Sequence, residues 1–167
     1  ILGVLQLTQA VLGSIATLLI VPSMGASAVL IFGVPHSPLA QPWAVYGGHL
    51  LSALVGVSCQ MLIPDPVVAA GAAVGGAIAA MHLGRCIHPP GGATALAAVM
   101  GGPAVHALGY RYALSPISIN CLIILAVGVL FNYPFPWRRY PLHLMRYIAP
   151  PRVQQRWPAV SQQHVIA

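Results

Sequence analysis

Long apolar runs, separated by short punctuation rich in proline and glycine, make up nearly the whole chain. A helix that crosses a bilayer needs about 20 mostly apolar residues. Four stretches meet that length: 1–21, 44–63, 67–84 and 114–133. Between the second and third lies a tight turn, Pro64-Asp65-Pro66, which belongs at a membrane surface with Asp65 solvated. Two further apolar pieces, 24–34 and 91–101, are too short to span, and each follows a proline and precedes glycine or proline. The pattern predicts an all-α, polytopic transmembrane helix bundle of about four spans plus two short proline-broken, half or re-entrant helices.

The two short pieces resemble each other. "PSMGASAVL" at 22–30 and "PPGGATALA" at 89–97 share Pro, Gly, Ala and Ala at a constant offset of 67 residues, with Ser27 opposite Thr94. The long stretches follow roughly the same offset. We read an internal two-fold repeat, about 1–63 and 67–133, inside a membrane domain at 1–135, followed by a basic tail at 136–167. Paired, interrupted apolar segments in two halves are the best sequence pointer to a transport site. The third stretch also holds Gly71-x-x-x-Gly75, a spacing that lets helix backbones approach closely within a bundle or between subunits, and it points to a homo-oligomer.

Composition narrows the class. Hydrophobic residues make up 58% of the 167 and charged residues 5%, far below the roughly 25% of a soluble domain. The solvent is therefore the lipid bilayer. Seven arginines oppose one acid, for a net charge of +6. Five of them (Arg138, Arg139, Arg146, Arg152, Arg156) follow the last apolar stretch, which places that end in the cytoplasm by the positive-inside rule. The basic excess reads as topology and lipid contact, not as nucleic-acid binding. Three cysteines in apolar sequence form no disulfide framework. The first residue, Ile1, already lies in an apolar run, so a longer natural chain is expected.

Chemistry concentrates in "HLGRCIHPPGGATALAAVMGG", 82–102. An arginine in a membrane segment costs about 2.5–3.5 kcal/mol on insertion scales and by default marks function. Arg85 has no acidic partner within reach, because Asp65 sits at the far end of the third stretch. Pro89 and Pro90 are suited to a helix start. Gly91 and Gly92 would then offer free backbone N–H groups to an anion at a helix N-terminus, with Thr94 adding a hydroxyl. The first copy offers Ser23, Gly25 and Ser27 in the same way. By the 67-residue offset Arg85 matches Leu18 and His88 matches Val21, so the charge belongs to the second copy alone. His88 is placed to donate to an anion or to take up a proton. Asn120 lies inside the last span as an interhelical or pore-lining amide. His36 and His49 read as residues of an ordered interfacial loop. His82, Cys86 and His88 are interrupted by the prolines and lack a fourth ligand, so no metal and no cofactor is expected. No carboxylate pair, activated nucleophile or phosphate loop is present, and an enzyme is not expected.

"HPPGGATAL", with "PSMGASAVL", "HSPLAQPW", "GGHLLSALVG" and "RRYP", closely resembles the HPP family of integral membrane proteins over about residues 10–141. The resemblance implies four or more spans, and some members are associated with nitrite transport. Together with the residues it implies a transporter or channel for a small monovalent anion, nitrite first, in a bacterial inner (plasma) membrane. The other class in play is a membrane scaffold or sensor acting through oligomer packing and a cytoplasmic partner of the basic tail.

Overall fold

The computed structural model describes residues 2–144, and for 4, 5, 7, 8 and 11–21 the backbone alone. The tail from 145 onward, with Arg146, Arg152 and Arg156, lies outside the described residues, as does Ile1.

The described chain is helical throughout. Helix α1 runs Leu2–Gly33, α2 Pro42–Leu62, α3 Pro66–Leu83, α4 Pro90–Met100 and α5 Gly102–His106. A kinked turn over Ala113–Ser118, with extended backbone at Ser115, leads into α6, Ile119–Asn132. By length and composition Pro42–Leu62, Pro66–Leu83 and Ala113–Asn132 can each cross a membrane, close to three of the four predicted stretches. The fourth differs. The chain passes through Pro22 without a break, so the stretch predicted as a span at 1–21 and the short helix at 24–34 are one helix. A single proline removes one N–H from the ladder, and helices in membranes accommodate that.

Helix starts are specified locally. Pro42 and Pro66 occupy first-turn positions, where the missing N–H is not needed. Asp65 is exposed and caps α3 with its carboxylate, accepting from the amides of Val67 and Val68 at 2.9 Å each. The end of α3 is a Schellman turn. The Arg85 amide donates to the His82 carbonyl at 3.1 Å and the Cys86 amide to the Met81 carbonyl at 2.9 Å. Arg85 therefore takes the left-handed position, with φ of +51°, where glycine is the usual residue.

Small residues set the packing. Gly56 lies so close to α4 that an added Cβ would meet the Ala95 carbonyl oxygen at 2.6 Å and the Ala98 Cβ at 2.8 Å. On α3, Ala69, Ala73 and Ala77 form the buried stripe. Gly71 and Gly75 do not: they are exposed, with open space where a Cβ would stand. Two residues of helix turn the side-chain direction by about 200°, so the glycine pair faces away from the alanine stripe. Of the two settings expected for this pair, within the bundle or between subunits, the first does not hold.

Beyond α6 the chain folds back onto the loop before α2. Tyr140 is buried and its hydroxyl donates to the Ala40 carbonyl at 2.7 Å. Burial raises its phenol above the ordinary value, so it remains a donor. Arg138 donates to the Asn132 side-chain oxygen at 3.3 Å and also to the Phe32 carbonyl. The Leu142 amide donates to the side-chain oxygen of Gln41 at 2.9 Å. Tyr140 and Leu142 thus fix the 34–41 loop from outside, while Arg138 ties the segment to the ends of α1 and α6.

Candidate functional site: a buried serine, histidine and threonine cluster

Four polar side chains meet where α1, α2, the 84–89 segment and α4 converge. Ser27, His49, His88 and Thr94 are each fully buried, at 0% exposure. Ser27 is at the centre: its Oγ lies 2.8 Å from His49 Nε2 and 2.8 Å from His88 Nε2. The same hydroxyl lies 2.9 Å from the Ser23 carbonyl, one turn earlier on α1. His49 continues the chain of contacts, with Nδ1 2.7 Å from Thr94 Oγ1. His88 Nδ1 donates to the Leu39 carbonyl at 2.8 Å. The two imidazole rings stand edge to face with centroids 4.9 Å apart.

Each position has a local cause. His49 lies seven residues into α2, about 10 Å along its axis. Gly47 and Gly48 just before it leave room for the incoming 84–89 segment. A Cβ on Gly48 would meet His88 Cβ at 2.6 Å and the Cys86 carbonyl oxygen at 2.9 Å. The segment itself exists because Pro89-Pro90 cannot extend α3, so the chain leaves the helix at Gly84 and re-enters one at Pro90. Trp43, exposed at the start of α2, donates its ring N–H to the Gly84 carbonyl at 3.0 Å and pins the end of α3 there. Below the cluster Tyr112 donates to the Thr94 carbonyl at 3.2 Å.

Of the residues singled out in the sequence, Ser27, His88 and Thr94 come together here, and Ser23 takes part through its carbonyl. Pro90 and Gly91 are buried beneath the cluster, Gly91 close against Ser52 and the Gly48 carbonyl. Asn120 is buried in α6, and Gly25 and Gly92 are half-buried. Arg85 and Pro89 are exposed and stand outside the cluster.

The expected anion cradle of free helix-start amides is corrected on two counts. Gly25 and Ser27 lie within a continuous helix and not at a helix start. The Gly91 and Gly92 amides already donate to the carbonyls of His88 at 2.8 Å and Pro89 at 3.1 Å. What converges is side chains. His49, read as part of an interfacial loop, is instead a central residue inside α2. Its signal was the pair of glycines before it in "GGHLL", a clearance of the kind that "HPPGG" provides on the other side.

Among the described residues no three His, Cys, Asp or Glu side chains gather in a group that could hold a metal. The chain's one carboxylate, Asp65, caps α3 at the opposite end from His88. The cluster is thus built from two imidazoles and two hydroxyls with no acid among them.

The family model for the transmembrane region of HPP proteins matches residues 1–141, nearly the whole described chain. The chain belongs to the HPP transmembrane family. Two Dictyostelium discoideum proteins, both described as transmembrane proteins, are similar to this HPP chain. One is 40% identical over 130 residues, covering 75% of this chain and 42% of the relative. The other is 41% identical over 128 residues, covering 74% and 45%. The HPP chain therefore spans less than half the length of the curated relatives it matches. No solved structure matches it. With the apolar helices, membership of HPP establishes an integral membrane protein.

Proposed function

We propose that this HPP protein is a membrane transporter for a small monovalent anion, with nitrite the first candidate. The observation that carries the reading is the acid-free cluster of Ser27, His49, His88 and Thr94, fully buried among membrane helices. Ionisable residues at membrane depth mark substrate or proton pathways by default. Here all four side chains can donate hydrogen bonds and no carboxylate competes with an incoming anion. Arg85, exposed four residues before Pro89, supplies a positive charge at the approach to the site. Complete burial of the cluster favours a carrier that opens in turn to each side over a standing pore. The open, small-residue face of α3 at Gly71 and Gly75 supports assembly into a homo-oligomer. The arginine-rich end is read as cytoplasmic by the positive-inside rule.

The test is nitrite uptake into proteoliposomes holding the purified protein, with nitrate, chloride and formate as competitors. Uptake that saturates, falls about tenfold or more in His49→Ala, and falls with a raised KM in Arg85→Ala supports the reading. Folded wild-type protein that moves none of these anions overturns it.

A further inference from the structure

Hydrogen counting around Ser27 leads past the identity of the cargo. A carbonyl has only lone pairs, so His88 Nδ1 carries the hydrogen it shares with Leu39. In neutral His88, Nε2 is then bare and needs a donor, and among the described residues Ser27 Oγ stands at hydrogen-bond distance, 2.8 Å. The Ser27 hydrogen must point there, not at the Ser23 carbonyl. His49 Nε2–H then donates to Ser27, and His49 Nδ1 accepts from Thr94. That arrangement satisfies both rings and both hydroxyls.

One added proton changes the pattern without moving a heavy atom. With hydrogen on His88 Nε2, both imidazoles donate to the two lone pairs of Ser27 Oγ. The Ser27 hydroxyl rotates to the Ser23 carbonyl, 2.9 Å away. Every contact around Ser27 is then satisfied. A second proton would put two cations on rings 4.9 Å apart with no acid nearby to offset them.

The surroundings supply little else that titrates. The described part of α1 at 22–33, the turn Pro38–Ala40 and α4 carry no ionisable side chain. From α2 the facing group is His49. The 84–89 segment adds Arg85, which is exposed, and Cys86, whose side chain packs on Gly47. His82 at the end of α3 is exposed, and Tyr112 meets the site only through the Thr94 carbonyl.

We propose that Ser23, Ser27, His49 and His88 form a binding site for a single exchangeable proton, held on His88 and switched by rotation of the Ser27 hydroxyl. The proton would be the coupling ion of the transporter, a consequence that rests on the function proposed above. An anion entering beside a protonated His88 finds the positive charge it needs, and leaves with the proton as a neutral pair.

The experiment titrates the full chain in lipid nanodiscs with ¹⁵N-labelled histidine, and on the same preparation measures nitrite flux in proteoliposomes with and without an inward proton gradient. Expected is uptake of one proton by the His49–His88 pair, with His88 Nδ1 protonated throughout. Ser27→Ala lowers that proton affinity at least about tenfold, the loss of one charge-assisted hydrogen bond. Ser27→Thr, which keeps the hydroxyl and controls for folding, retains it. Two protons bound independently, none bound across the range in which imidazoles titrate, or a Ser27→Ala titration like that of wild type overturns the site. One-proton uptake with no nitrite flux upholds the site and rejects the transport reading. Flux that ignores the gradient, with no titration, rejects the site and leaves the transport reading standing.

Discussion

Pro22 and Pro89 stand at matching places in two similar motifs, yet the chain runs straight through the first and breaks at the second. The difference is not proline as such. At Pro22 one ladder hydrogen bond is lost from an otherwise regular helix. In the second motif two prolines follow a glycine at position 84 and a left-handed residue at 85, and the Schellman turn closes the last carbonyls of α3 with the amides of Arg85 and Cys86. The unbroken copy delivers a hydroxyl from a helix face, Ser27. The broken copy delivers Thr94 from a helix face as well, and in addition brings His88 in on irregular backbone. α2, with its Gly47-Gly48 clearance, covers that irregular backbone.

The comparison can be broken most severely at His88. His88→Ala strips the partner from Ser27 and from the Leu39 carbonyl and leaves a cavity. We expect a loss of about 3 kcal/mol, read as a fall in melting temperature in detergent. A smaller effect separates the copies by glycine. Gly48→Ala would drive a methyl into His88 and the Cys86 carbonyl and destabilise by about 1–3 kcal/mol. Gly25→Ala, in the unbroken copy, has open space for its methyl and should stabilise by up to about 1 kcal/mol. Equal effects at the two glycines would mean that the clearance before His49 does not position the broken segment. The smallest effect is expected at Arg85. Arg85→Gly relieves the left-handed backbone and should raise stability by about 1 kcal/mol while lowering nitrite uptake. A rise in stability with uptake unchanged would remove Arg85 from the transport reading and leave its charge without a role.

Much of the architecture was legible in the sequence. The helices at 42–62, 66–83 and 113–132 follow from apolar length, and the first two also from Pro42, Pro66 and Asp65 at their starts, all local signals. Ser27 and Thr94 were both singled out in the sequence, and both hydroxyls reach one histidine, His49, from its two nitrogens. What was not legible depends on direction and depth. Whether Gly71 or Ala73 faces the bundle is a matter of which side α2 approaches, and the third stretch is so uniformly apolar that nothing in it marks a face. His49 looked interfacial because it sits near a proline-rich loop in sequence. Seven residues of helix carry it inside. The free amides expected at Gly91 and Gly92 were lost to carbonyls three positions further back, a closure set by the backbone turn and not by residue type.

His49 touches both motif copies at once, Ser27 on one nitrogen and Thr94 on the other, and this has a mechanical meaning. If the helix carrying Ser27 and the helix carrying Thr94 swing apart, the ring can follow one of them and must let go of the other. Each way of opening leaves a different nitrogen exposed, and therefore a different hydrogen-bonding face. The imidazole acts as a latch with two keepers. The side from which a cargo is admitted would be recorded in which hydroxyl His49 still holds.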